Sequence, residues 1–189
     1  MKSALLAAAG CLTLGAAQAA APLALGLDPG YSFSAYAGPA PVGQGDVDAP
    51  YTLFYIDERV AAGYKSWYVF FDPGPLTQEL QVTLRFEQPI AAVLTTRAEL
   101  DASNAAYGAA GITYGSSRHM GLETCPIGRV YCDAVGWIPG SHELVLDWSA
   151  VHPGDHIRVL VAVPEPPNLL LFGAGLAALA LTLRRRRGA

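Results

Sequence analysis

Lysine is nearly missing from this chain: Lys2 and Lys65 are its only two. Setting aside Lys2, Glu165 and the four arginines near the C-terminus, the 12 Lys+Arg and 16 Asp+Glu fall to 7 and 15. Residues 20–163 therefore carry about −8 with His neutral. No basic stripe is available to neutralise phosphates or acidic sugars, which excludes nucleic acid and anionic polysaccharide as tight partners. The same balance suits an acidic domain outside the cell and is compatible with divalent cations. Helical periodicity is also nearly absent, and no internal repeat is visible. Cysteine is scarce, at Cys11, Cys125 and Cys132, with no C-x-x-C pair.

What is present in residues 20–163 is a series of short strands punctuated by Gly and Pro. Tyr31–Tyr36 alternates aromatic residues, and Gly43–Asp48 is a loop. Tyr51–Ile56, Trp67–Phe71, Ile90–Thr95, Glu143–Trp148 and His156–Val163 follow as strands. The clearest has Leu80, Val82, Leu84 and Phe86 on one face, with Gln81, Thr83, Arg85 and Glu87 on the other. That pattern predicts a strand facing water on one side. Ala98–Tyr107 reads as a short helix and Gly108–Gly121 as a long surface loop. Val151–Asp155 reads as a tight turn joining the last two strands. One domain is expected at this length. The fold class is all-β, an antiparallel β-sandwich of jelly-roll-like type.

The two ends carry targeting signals. Lys2, the apolar Ala4–Ala17 and the Ala17-Gln18-Ala19 site make residues 1–19 a signal peptide, cut after Ala19 by signal peptidase. Pro22 disfavours a cut after Ala21. Cys11 lacks the leucine three positions upstream that lipidation requires. At the other end an apolar run, Leu169–Leu183, is closed by Arg184, Arg185, Arg186 and Arg187. As a single transmembrane helix it would be about 22 Å long at roughly 1.5 Å per residue. That is shorter than the ~30 Å hydrocarbon core, a gap that snorkelling arginines reduce. The arginines hold that end cytoplasmic and leave residues 20–163 outside. With Cys11 removed, an even pair remains in an exported chain. Cys125 and Cys132 are therefore expected to form a structural disulfide; six intervening residues fit neither a redox pair nor a zinc finger.

Val163-Pro164-Glu165-Pro166, the apolar run and the terminal arginines resemble, in that order, the PEP-CTERM sorting signal of Gram-negative bacteria. The resemblance covers residues 164–189. It implies recognition of Pro164, Glu165 and Pro166 by exosortase, a membrane-embedded cysteine protease. The precursor would sit in the inner membrane and the processed protein on the outer surface or outside the cell. The family's systems accompany exopolysaccharide production, which makes exopolysaccharide a partner implied by the resemblance. Pro167-Asn168 follows the motif where the family often has Ser or Thr and then an aromatic. Ser66–Pro73, Val82–Ile90 and Val151–Val159 are similar to stretches common in the bodies of such proteins, which supports a β fold and export.

Candidate chemistry in residues 20–163 is sparse. Ser116, Ser117 and His119 in one loop, with Asp155 and His156 in a turn, are the only material for a hydrolase. They lack the G-x-S-x-G spacing of a nucleophile elbow. His152 and His156 are four apart, but Pro153-Gly154 excludes a helix between them, so they and His142 are expected as exposed turn histidines and not as ligands. Asp46 and Asp48 offer oxygens to calcium without completing an EF-hand loop. Trp67 and Trp148 fit the core, whereas Trp137 and Tyr131 are the aromatics placed to stack on a sugar. The expectation is a non-enzymatic surface or matrix protein without cofactor or metal. A lectin-like carbohydrate-binding module is the alternative, and a secreted hydrolase comes third.

Overall fold

The computed structural model describes residues 19–122 and 132–163, together with Gly175. Its elements run β1 (Leu23–Leu25), β2 (Ser32–Ala35), β3 (Thr52–Ala61), β4 (Tyr64–Phe71), β5 (Gln78–Arg85) and β6 (Ile90–Leu94). After these come α1 (Arg97–Tyr107), β7 (Ala134–Trp137), β8 (Glu143–Ala150) and β9 (Asp155–Ala162). They make two sheets, β1-β5-β8-β7 and β2-β3-β4-β9-β6. Ala19–Pro164 groups as one unit of the chain. Among the described residues no helix is long and apolar enough to cross a membrane. Apart from Ala19 and Gly175, the expected signal peptide and the C-terminal helix with its arginines lie outside the described residues.

Alternation explains the four-stranded sheet. Leu80, Val82 and Leu84 of β5 meet Trp148, Leu146 and Leu144 of β8 in direct register, and all six side chains are buried. Their polar neighbours Gln81, Glu143 and Asp147 face out. The buried face packs against Leu53, Trp67, Val69 and Phe71 of β3 and β4, and against Ile157, Val159 and Val161 of β9. Burial of this set supplies most of the sandwich's stability, at roughly 1.5–3 kcal/mol for each large apolar side chain. The expected core positions of Trp67 and Trp148 are what the structure shows.

The five-stranded sheet departs from simple alternation. In β4 and β9 nearly every residue is buried, so both faces are covered. The second face carries Ile56, Tyr68 and Phe70, capped by Val42, Leu100 and Met120, with Tyr114 and Ile112 packed alongside. Gly108–Gly121 is therefore not simply a surface loop. It closes a second small core together with α1. The helix begins at a capping box, in which Thr96 accepts from the Glu99 N–H while the Glu99 carboxylate accepts from the Thr96 N–H. Those donors, the Thr96 N–H first, hold the Glu99 carboxyl below its ordinary range.

Three further differences from the sequence reading are local. β2 pairs with β3 in parallel, so the sandwich is not wholly antiparallel. Trp137 lies on a strand, β7, not in a loop, and is half-buried against the main core. The Val151–Asp155 turn does not form a hairpin, because β8 and β9 belong to opposite sheets.

Candidate functional site

Three segments remote in sequence meet where β4 ends: the 43–50 loop, residues 72–74 and the corner after β8. The Ala49 N–H donates to Asp72 O at 2.8 Å, and the His152 N–H donates to Gly74 O at 3.0 Å. These backbone bonds bring together Asp48, Asp72 and His152, whose ligating atoms all lie within 4.8 Å of one another. Asp48 Oδ1 is 3.2 Å from His152 Nε2, and Asp72 Oδ1 is 3.4 Å from His152 Nδ1. The imidazole thus stands between two carboxylates.

The cluster grades from interior to surface. The side chain of Asp72 is 0% exposed, that of His152 34% and that of Asp48 61%. Burial raises the pKa of Asp72; the Val47 N–H, His152 and the Gly74 N–H oppose the shift, while Asp48 adds to it. Asp72 Oδ2 accepts from the Val47 N–H at 3.2 Å. Asp72 Oδ1 and His152 Nδ1 are buried and carry no hydrogen bond.

Backbone conformation makes room for these atoms. Asp48 itself is at φ +48°, a left-handed conformation that Asp tolerates better than most residues. A Cβ at Gly74 would come within 3.1 Å of Asp48 Oδ1, and one at Gly45 within 2.7 Å of His152 Nδ1. Two clefts adjoin the cluster. One of about 300 Å³ is lined by Asp48, Tyr51, Gly74, Leu76 and Gln78. The other, of about 240 Å³, is lined by His119, Ser149, His152 and Asp155. Chemically, the cluster offers two carboxylate oxygens and one imidazole nitrogen, a set that suits either a divalent cation or a shared proton.

The remaining expected residues are dispersed. Asp46 is exposed and outside the cluster, so the two loop aspartates do not act as a pair. His142 is exposed and its Nδ1 bonds Phe86 O at 3.2 Å, away from His152 and any three-His site. His156 is the clearest correction. Expected as an exposed turn residue, it is 0% exposed on β9, stacked on Phe70 at 5.5 Å between ring centroids. Its Nε2–H donates to Pro153 O at 3.0 Å. Burial, the larger effect, lowers its pKa to about 4 against that hydrogen bond.

The serine set is not assembled. Ser116 is exposed. Ser117 Oγ accepts the His119 N–H at 3.4 Å, and His119 Nε2 accepts the Arg118 Nε–H at 2.8 Å. Among the described residues no hydrogen bond joins Ser116 or Ser117 to an imidazole ring. Of the two cysteines expected to pair, Cys132 precedes β7, while Cys125 lies outside the described residues, as do Tyr131 and the Pro164-Glu165-Pro166 motif.

One buried group had no clear sequence signal. Arg158, 0% exposed on β9, donates from Nε and from Nη2 to the two carboxylate oxygens of Glu58, at 2.7 and 2.8 Å. It also reaches Leu100 O at 3.0 Å, Asn104 Oδ1 at 2.8 Å and Ser103 Oγ, all on α1. A lone arginine between Ile157 and Val159 in an apolar strand was the available hint. No family model, curated protein or solved structure matches the chain.

Proposed function

We propose that this is an exported, non-enzymatic cell-surface or extracellular-matrix protein. In this reading it is cut by signal peptidase and sorted through its C-terminal signal by an exosortase-type protease. The jelly-roll-like assignment, the signal peptide and the single membrane helix belong to the same reading. The observation that carries it is the order of features after β9. That strand ends at Ala162, and Pro164-Glu165-Pro166, the apolar run and the four arginines follow at once. The acidic charge of residues 20–163 and the dispersal of Ser116, Ser117, His119 and His156 support a structural or interaction role over hydrolysis.

Intact-protein mass spectrometry on the secreted and membrane fractions of the native host tests the reading. The expected species is secreted, starts at Ala20 and ends near Pro164–Pro166. A full-length C-terminus found only in the membrane would defeat the exosortase assignment.

A glycan-binding reading has one observation in its favour. Tyr51 is 55% exposed and lines a cleft with Asp48 and Gln78, an aromatic face beside a carboxylate and an amide. This moves the platform from Trp137, which is half-buried against the main core, to Tyr51. Binding on a neutral-glycan array, lost in Tyr51→Ala, would favour the lectin; an array without signal would leave the structural role.

A further inference from the structure

The geometry points to a divalent-cation site at Asp48, Asp72 and His152, of zinc-like character, which goes beyond the sorting and surface role proposed above. Three observations converge on it. The ligating atoms are gathered from three separate segments to within 4.8 Å of one another. Asp72 Oδ1 and His152 Nδ1 are buried and face each other at 3.4 Å without forming a hydrogen bond, although buried polar atoms are ordinarily satisfied. And Gly45 and Gly74 leave open the space that a Cβ would take from His152 Nδ1 and Asp48 Oδ1.

The spacing fits a small cation. Ligands ~2.1 Å from a tetrahedral zinc stand about 3.4 Å apart. That is the separation of His152 Nδ1 from Asp72 Oδ1, 3.4 Å; the 3.2 Å contact to Asp48 is made by Nε2, and the three ligating atoms together lie within 4.8 Å. As the ring stands, Nε2 faces Asp48 and Nδ1 faces Asp72. A cation takes one nitrogen, and Nδ1 is the buried one, facing the buried Asp72 Oδ1. Two carboxylates offset the positive charge, and the mixture of imidazole and carboxylate suits zinc or manganese better than calcium, which prefers an all-oxygen shell. Asp48 is exposed and lines the Tyr51 cleft, which gives the ion a way in from solvent.

A cation there would clamp the 43–50 loop, the end of β4 and the corner into β9. The test uses the full chain in detergent, stripped with a chelator and titrated with zinc chloride by calorimetry, with thermal unfolding read in parallel. One equivalent of zinc and a raised Tm are expected, with calcium chloride giving neither. Asp48→Asn, Asp72→Asn and His152→Gln should each weaken zinc binding at least ~10-fold, while His142→Gln leaves it unchanged. Because Asp48 is exposed, Asp48→Asn tests the site even if Asp72→Asn does not fold. No zinc uptake, calcium uptake in its place, or full affinity in Asp48→Asn or His152→Gln would each overturn the proposal.

Discussion

His156 shows how one residue can be misread from its neighbours and then become a measurable handle. Val151-His152-Pro153-Gly154-Asp155 has the composition of a solvated turn, and the turn does form. β9, however, begins at Asp155, one residue earlier than the apolar pattern suggests, and draws His156 under the second core. The folded chain holds its imidazole neutral, with a pKa lowered to about 4 from 6.5. As pH falls below the unfolded value, the unfolded chain gains a proton that the folded chain refuses. The stabilisation is full above pH 6.5 and is lost progressively toward pH 4. At ~1.36 kcal/mol per pKa unit this amounts to about 2–3 kcal/mol between pH 7 and roughly 4.5. Urea unfolding at both pH values should show that loss in the natural chain, and His156→Phe should be less pH-sensitive by about the same 2–3 kcal/mol. An identical pH slope in both proteins would mean that other groups carry the acid sensitivity.

Among the elements, α1 depends on β9 through a polar contact inside an otherwise apolar layer. Arg158 is held over the rings of Tyr68 and Tyr114, at 5.1 and 5.7 Å, between Glu58 and three acceptors on the helix. Breaking one side of such a pair leaves a buried charge without compensation. Glu58→Gln should therefore lower unfolding free energy by roughly 3 kcal/mol, and Glu58→Leu with Arg158→Met should be milder than either single change. Chemical denaturation of Glu58→Gln, the two singles and the double decides it; a double variant worse than both singles would contradict this account. The elements were legible to different degrees for physical reasons. β5 and β8 were plain because one face is wet and the other dry. β4 and β9 were recognisable as strands, but their second buried face was not, since a Gly-rich segment and a helix cover it. β1 was missed because three residues, Leu23–Leu25, are too few to establish a period. The four of β7 were missed because Gly136 interrupts them. Asp48 was visible as a loop carboxylate, whereas its meeting with Asp72 and His152 depends on contacts between positions distant in sequence.

For the whole molecule, the proposed sorting signal follows the sandwich in sequence, so changes there should separate cleanly from changes in the fold. Glu165→Ala should leave unprocessed precursor in the inner membrane, seen as an uncut band by immunoblot of fractionated cells. The sandwich should keep its thermal midpoint, because Glu165 lies outside the unit Ala19–Pro164. Normal release of the variant would remove the Pro-Glu-Pro motif from the mechanism.

The position of β9 has a mechanical consequence. It lies between β4 and β6, bonded antiparallel to β4 along its whole length and to β6 over Arg158–Val161, and it is the last strand of the sandwich in sequence. Tension applied along the C-terminal side of β9 would load two ladders in shear. Their bonds must then yield together, whereas a strand peeled from an edge gives them up in succession. A sandwich tethered through such a strand resists drag from a moving fluid far better than one tethered through β1 or β7, which sit at the margins of their sheet.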